Sequence, residues 1–331
     1  MAKHVTLADI AAHTGLAPST VSRALHNSSR VTAATRRHVQ AVAKELHYQP
    51  NVLAQSIRNQ RTNTVGVVIS NILNPYFTEV LRGISDELLR ANTHMILFNT
   101  DEQPEKETRI LQSLTGQMVD GLIIVSTGGI ANYDALTQAA PTVFVDRVPN
   151  AASIARYDAV LTDNVPAATS LTTRLLDAGA TRLGFIGSAV AFSAAERETG
   201  YRTALKNHGL SVKRNLIRHT NYTPETTARI VNELRQTEHV DGLVIADSVI
   251  LGQVLKTLTA STHQAAPLQL GTFDYLAWFD YLNVDLIAAQ QSTYQLGHVA
   301  VTTLFDRIAH PEAPVSTTRF PVTFHEHHPN H

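Results

Sequence analysis

Over the first fifty residues, apolar positions recur three and four apart, the spacing of short helices. From residue 64 onward the pattern changes to short apolar runs alternating with helical stretches. Leu7, Ile10 and Ala11 mark a first helix, with Thr6 placed to cap it and Asp9 three residues on, as in a capping box. That helix stops at Thr14-Gly15, where glycine supplies the positive φ of a sharp turn. Pro18 restarts a helix at its first position, where its missing N–H costs nothing. Val21 and Leu25 then face inward, while Pro18, Ser19, Ser22 and Arg23 lie on other faces. A third helix opens at Val31-Thr32, and Val39, Val42 and Leu46 form an apolar stripe for a three-helix core. Taken alone, two short helices and a tight turn fit an ordinary αα-hairpin. They also fit a helix presented to a DNA major groove, which needs small hydroxyl residues and an arginine facing out.

Beyond residue 64 the pattern predicts strands at 65–70, 95–100, 122–126, 143–146 and 161–163, separated by helices near 76–92, 104–117 and 130–140. After a helix near 166–178 the scheme repeats, with strands at 183–187, 216–220, 243–246 and 268–273 and helices near 194–209, 224–237 and 249–260. Strands at 287–290 and 319–324 flank a last helix near 293–309 and are expected to cross back between the halves. Such alternation predicts an α/β fold of two doubly wound lobes of parallel sheet, with a small-ligand cleft at the carboxyl ends of the strands.

Composition narrows the class. A 331-residue chain with 44% hydrophobic and 17% charged residues is long enough for two or three globular domains. There is no cysteine, so neither disulfides nor thiol chemistry contributes. No apolar run reaches the roughly 18 residues of a transmembrane helix, and the N-terminus has no signal-peptide core, so a cytoplasmic protein is expected. The formal net charge of −1 conceals an asymmetry. Residues 1–61 hold eight basic residues (Lys3, Arg23, Arg30, Arg36, Arg37, Lys44, Arg58 and Arg61) against Asp9 and Glu45, whereas the remainder holds 19 basic and 26 acidic residues. A basic head on an acidic body suits a phosphate-binding module attached to a body that stays off DNA.

One set of spaced residues carries a family resemblance. Thr6, Asp9, Ile10, Ala11, Thr14, Gly15, Leu16, Thr20, Val21, Ser22, Arg23 and Leu25 are followed by Tyr48, Pro50, Asn51, Ala54, Ser56, Ile57 and Arg58. In type and spacing this resembles the start of the Lac repressor/Gal repressor family, and the resemblance extends over the whole chain. It implies a helix-turn-helix head over 1–49, a hinge helix and linker over 50–63, and a two-lobe effector and dimerisation domain over 64–331. That domain resembles periplasmic sugar-binding proteins, with one lobe at about 64–163, the other at about 164–290, and late crossovers. The implied DNA contacts are Thr6, Pro18, Ser19, Thr20, Ser22, Arg23, His26, Asn27, Asn51, Ala54 and Ile57. Arg23 is the best base reader, bidentate to a guanine, while Thr20, Ser22 and Asn27 suit phosphates. Ile57 stands at the family's minor-groove wedge, where leucine is more usual; the apolar chemistry survives, and β-branching stiffens it. Ala17 replaces the serine that usually caps the recognition helix, so a cap is missing.

The resemblance also implies effector contacts, all just after strands or at helix starts. They are Asn74, Tyr76 and Phe77 (the N-P-[FY]-F segment), Asp146 and Arg147 (V-D-R), Ser193 and Arg197, Tyr222, Asp247 and Asp274. Arginine suits oxyanions because its planar fork donates two hydrogen bonds at once. Asp247 stands where the family has a neutral amide. The stretch from Gly271 to Asn283 looks like the fructose- and sucrose-related branch. Structural alternatives stand beside several of these: an ion pair for Asp146-Arg147, a helix cap for Asp274, and core packing for Phe77 and Tyr222.

No nucleophile–base arrangement, phosphate loop or metal-ligand spacing stands out, so no catalysis, cofactor or metal is expected. The His325-Glu326-His327-His328 cluster is expected in a polar tail beyond the last strand. No heptad repeat follows residue 310, so a homodimer on a pseudo-palindromic double-stranded operator is the expected assembly. These features point to a repressor of carbohydrate-metabolism genes controlled by a small sugar or sugar phosphate. The alternative is a global regulator controlled by a phosphocarrier protein partner or a corepressor. A sugar-phosphate enzyme with a DNA-binding head would need a general base in the cleft.

Overall fold

The computed structural model describes residues 5–48, 61–115, 119–128, 133–137, 140–189, 191–260 and 268–328. The chain divides into two compact units, Met1–Thr62 and Asn63–His331. The proposed hinge residues Asn51, Ala54 and Ile57 lie outside the described residues.

The first unit holds α1 (Leu7–Thr14), α2 (Pro18–Leu25) and α3 (Ala33–Glu45). Thr6 and Asp9 form a reciprocal cap. The Thr6 hydroxyl accepts from Asp9 N at 3.3 Å, and the Asp9 carboxylate accepts from Thr6 N at 2.7 Å. Gly15 closes α1 at φ 66°, a left-handed conformation that lets the chain turn sharply into α2. Ala17 stands at the N-cap of α2 with no side-chain cap, as its side chain dictates. The buried core is Ile10, Val21, Ala24 and Val39, with Ala11, Val31 and Ala43 beside them. This corrects two positions. Ala24, not Leu25, is the inward partner of Val21, and Ala43 lies deeper than Val42 or Leu46. Small alanines let the three helices approach closely, so the larger Leu25, Val42 and Leu46 pack around the rim.

The second unit is two six-stranded sheets. The first contains β1 (Thr64–Ile69), β2 (His94–Asn99), β3 (Gly121–Ile124), β4 (Thr142–Val145), β5 (Asp158–Thr162) and β11 (Thr317–Phe320), in the order β11-β5-β4-β3-β1-β2. The second contains β6 (Leu183–Ser188), β7 (Ile217–Thr220), β8 (Gly242–Ile245), β9 (Gln269–Phe273), β10 (Leu286–Gln290) and β12 (Thr323–His327), in the order β12-β10-β9-β8-β6-β7. Every pairing is parallel except β10 with β12. The inner strands are buried apolar runs such as Val65–Ile69 and Leu243–Ile245, because helices cover both faces of a parallel sheet. Those helices are α4 (Pro75–Arg90), α5 (Pro104–Thr115), α6 (Tyr133–Thr137), α7 (Asn164–Asp177), α8 (Phe192–Asn207), α9 (Pro224–Asn232), α10 (Ser248–Ala260) and α11 (Thr293–Ala309). Strand order reverses between β1 and β3 and again between β6 and β8, the switch points where open α/β sheets leave a crevice.

Three crossovers join the sheets: β5 to α7, β10 to α11, and β11 to β12. The last corrects the expected single strand over 319–324. Pro321 has no N–H for a ladder, so the segment breaks into β11 and β12, which pair in different sheets. His325, Glu326 and His327 therefore lie in β12 rather than in a tail. An edge strand pairs on one side only and tolerates polar residues. His325 is bonded to Gln290 at 2.5 Å, and His327 to the Leu282 carbonyl at 2.7 Å. β5 begins at Asp158, ahead of the expected position, because that carboxylate is consumed structurally at the strand entrance. The helix expected to reach residue 237 ends at Asn232 and continues as one π turn, Glu233–Thr237.

Asp158 and Asp241 each clamp one sheet. Asp158 accepts from Arg307 Nε at 2.7 Å and from Ser316 N at 2.7 Å. Asp241 accepts from Thr181 N and Arg182 N, both at 2.8 Å. Burial pushes both carboxyls up, but these donors outweigh it and hold both below the usual range. Carboxyls that titrate lower in the folded chain give stability that is complete above the unfolded value, about pH 4, and lost as pH falls through the folded values. Melting temperature is therefore expected to fall steeply below about pH 4. The Asp158→Asn, Asp241→Asn double variant should show a shallower slope there; an unchanged slope would remove these clamps as its origin.

Candidate effector cleft and DNA-reading helix

The carboxyl ends of both sheets face a narrow cleft. All ten residues expected to contact an effector line it: Asn74, Tyr76, Phe77, Asp146, Arg147, Ser193, Arg197, Tyr222, Asp247 and Asp274. Their positions follow from the fold. Asn74 caps α4 after β1, accepting from Tyr76 N at 3.0 Å, which sets Tyr76 and Phe77 on the first turn. Asp146 and Asp274 directly follow β4 and β9, and Tyr222 lies two residues beyond β7. These three non-glycine residues have φ of 65°, 68° and 65°. Such strained backbone turns side chains back across strand ends, and it persists only where the surroundings hold it.

The polar groups fall into three bonded sets, around Asp146, Asp247 and Asp274. Tyr76 donates its hydroxyl to Asp146 at 2.8 Å. Tyr222 donates to Asp247 at 2.9 Å, and Asp247 also accepts from Ile250 N at 2.9 Å, capping α10. Asp274 does not cap a helix; it accepts from the Ser248 hydroxyl at 2.9 Å and from Gln291 Nε2 at 2.5 Å. Arg147 lies 3.4 Å from Asp146 but is held mainly by Glu102, at 2.8 and 3.1 Å, with its guanidinium 5.5 Å from the Phe77 ring centre. Burial pushes Asp146 and Asp247 above the usual carboxylate range, despite the arginines and donors that oppose it. Burial, then the charges of Asp146 and Asp274, push the Tyr76 hydroxyl well up.

Arg197 sits on the first half of α8, stacked 3.9 Å over the Phe273 ring. It donates to Asn164 Oδ1 at 2.8 Å, the Ala246 carbonyl at 2.6 Å and Gln291 Oε1 at 3.1 Å, all uncharged acceptors. Three of its five N–H groups are thus engaged. Its neighbour Glu196 accepts from Asn164 at 2.9 Å and from Arg319 at 2.9 Å, and Arg319 also reaches the Thr162 carbonyl at 3.2 Å. Glu196 and Arg197 therefore grip segments at all three crossovers. Gln291 was absent from the residues expected at the site, although it follows β10 as Asp274 follows β9. The same rule of polar residues at strand carboxyl ends would have found it. It would also have found Asn164, two residues beyond β5, whereas Glu196, inside α8, carries no such signal. A wider recess adjoins the cleft and shares Tyr76, Asp274 and Gln291 with it.

In the head, Pro18, Ser19 and Arg23 are exposed on α2, and Thr20 and Ser22 are half-buried on the same helix. His26 and Asn27 are exposed just beyond it, with His26 Nδ1 2.7 Å from the Ser22 carbonyl and Asn27 accepting from Gln40 at 3.3 Å. Thr6 is exposed at the start of α1 and committed to its cap.

A helix-turn-helix head and a two-lobe body with a polar cleft define a DNA-binding regulator built on the periplasmic-binding-protein architecture. Residues 6–51 match the family of bacterial regulatory proteins, lacI family, and residues 62–328 match periplasmic binding proteins and sugar binding domain of LacI family. The chain belongs to the LacI family of bacterial transcriptional regulators. It is 28% identical to the sucrose operon repressor of Klebsiella pneumoniae over 335 residues, covering 99% of each chain. It is 29% identical to catabolite control protein A of Staphylococcus xylosus over 303 residues, 91% of each. In fold it resembles the lac repressor dimer bound to operator and an anti-inducer, with a TM-score of 0.80, 19% identity and 98% of each chain covered. Among the described residues, no helix is long and apolar enough to cross a membrane.

Proposed function

We propose that this protein is a cytoplasmic repressor of carbohydrate-metabolism genes. Its homodimer binds a pseudo-palindromic operator, and a small sugar or sugar phosphate in the cleft controls that binding. The observation that carries this reading is the cleft itself: buried carboxylates, hydroxyls, two amides and two guanidiniums converge from strand ends and helix starts of both sheets. Such a set binds a polyhydroxyl ligand by many directed hydrogen bonds. The relatives support it, since two of them are named as the sucrose and ribose operon repressors.

The domains follow the same reading: a head over 1–49, a hinge over 50–63 in which Asn51, Ala54 and Ile57 meet the minor groove, and an effector and dimerisation domain over 64–331. Thr6, Pro18, Ser19, Thr20, Ser22, Arg23, His26 and Asn27 form the major-groove and phosphate contacts. The ligand acts through differential affinity. It prefers one lobe arrangement, and the crossovers gripped by Glu196 and Arg197 relay that preference. The cleft binds its ligand without turning it over.

The test is selection of duplexes from a random pool by the full chain, then titration of sugars and sugar phosphates against the bound duplex at fixed salt. Pseudo-palindromic sites released by one compound are expected. Absence of any effect would move control to a protein partner or a corepressor. Arg23→Ala should weaken binding to the selected site by about 1–3 kcal/mol and relax preference at one base pair. Uniform weakening across all sequences would instead make Arg23 a phosphate contact.

A further inference from the structure

We propose that the cleft selects a neutral polyhydroxyl ligand and rejects its phosphorylated form, with Asp247 as a principal discriminating residue. This rests on the sugar-cleft reading above and narrows it. The lining contains three carboxylates, Asp146, Asp247 and Asp274, against two guanidiniums, Arg147 and Arg197. The charge of Arg147 is opposed from behind the wall by Glu102, whose two oxygens both accept from one Arg147 nitrogen, while Arg147 Nε makes no hydrogen bond. Among the described residues, Arg197 is therefore the lining cation whose hydrogen-bond partners are all neutral, and it faces three acids.

The hydrogen-bonding capacity points the same way. A carboxylate only accepts, and its two oxygens take up to about four donors. Asp146 takes one donor from Tyr76 and a long approach from Arg147; Asp247 takes two donors; Asp274 takes three, one of them at 3.4 Å. Acceptor capacity remains on all three, and Arg197 retains two N–H groups. A ligand that both donates and accepts satisfies this mixture, as sugar hydroxyls do. A phosphate dianion has no proton to donate, and it would add its charge beside acids that burial already disfavours in their charged form. An ammonium donates only, and would face Arg197.

The test is calorimetric titration of the full-length protein with glucose, fructose, ribose and sucrose, each paired with its own phosphate monoester, and with inorganic phosphate. At least one free sugar is expected to bind, with its ester at least about tenfold weaker and inorganic phosphate weaker still. An ester that binds as well as its parent overturns the selectivity while leaving the sugar cleft standing. Failure of both series overturns the sugar reading and this inference with it. Asp247→Asn keeps an oxygen for Ile250 N and removes the charge, so the sugar-to-ester ratio should shrink about tenfold, with melting temperature confirming the fold. A ratio unchanged in that variant would overturn the role of Asp247.

Discussion

Arg197→Ala is expected to abolish effector control and to weaken sugar binding at least about 100-fold, roughly 3 kcal/mol. The variant removes the guanidinium from the cleft and also strands its partners. Asn164 Oδ1 and the Ala246 carbonyl lose this donor in a buried setting, at about 1–3 kcal/mol each where no water replaces it, while Gln291 Oε1 keeps only the Thr162 hydroxyl at 2.5 Å. Asn164 and Gln291 stand at two of the three crossovers, so the grip on the lobes loosens together with the ligand contact. Arg197→Lys preserves the charge but cannot reach three acceptors with one fork, and should recover binding only in part. Calorimetry and operator release, measured on both variants, check this. Sugar affinity in Arg197→Ala equal to that of the parent protein would place the ligand elsewhere in the cleft.

The second large effect is on stability. α4 and α11 pack backbone to backbone where Gly83 and Gly297 meet. A Cβ at Gly297 would lie 2.0 Å from the Val80 carbonyl oxygen and 2.9 Å from Ile84 N; one at Gly83 would lie 2.2 Å from the Tyr294 carbonyl oxygen. Neither obstacle is a flexible side chain, so the helices must part. That opens the core in which Leu296, Ala300, Val301 and Leu304 pack on Val65, Val67 and Val143. Gly297→Ala should cost about 3 kcal/mol or more, a fall of roughly 6–12 °C in melting temperature for a domain of this size. Gly252→Ala is the matched control. It lies within α10 with nothing within 4 Å of the added carbon, so better helix propensity should stabilise it by about 0.5–1 kcal/mol. Equal melting temperatures for the two variants would contradict the close helix contact.

The candidate cleft was readable in the sequence to the extent that its residues follow strands. Asp146 and Asp274 close apolar runs, and Ser193 and Arg197 open a helix after one. In a parallel sheet such positions converge whatever the detailed packing. The partnerships among them were not readable. Adjacency in sequence favours an ion pair of Arg147 with Asp146, yet Arg147 is held by Glu102 from a different loop. Its place after a strand suits Asp274 to a helix cap, yet Asp247 does the capping while Asp274 takes Ser248 and Gln291. In each case the competing partners are tens of residues apart, and their distances exist only once both sheets are assembled.

The head shows the same division on a smaller scale. Its caps and its turn are local: Thr6 with Asp9, Gly15 and Pro18 act within a few residues of themselves, so residue type alone determines them. Which apolar face goes inward is decided among three helices, and there small Ala24 and Ala43 displaced the larger Leu25 and Val42 from the centre. The sequence by itself determined the elements, the alternation that makes two wound lobes, and the polar residues at strand ends, because propensity, periodicity and chain direction are short-range properties. Only the tertiary structure decided that Pro321 splits one apolar run between two sheets, that the histidine cluster becomes an edge strand, and that Glu196 and Arg197 grip the crossovers. Those outcomes depend on which backbone edge is left unpaired and which charge is left buried, quantities that arise only when distant segments compete for the same space.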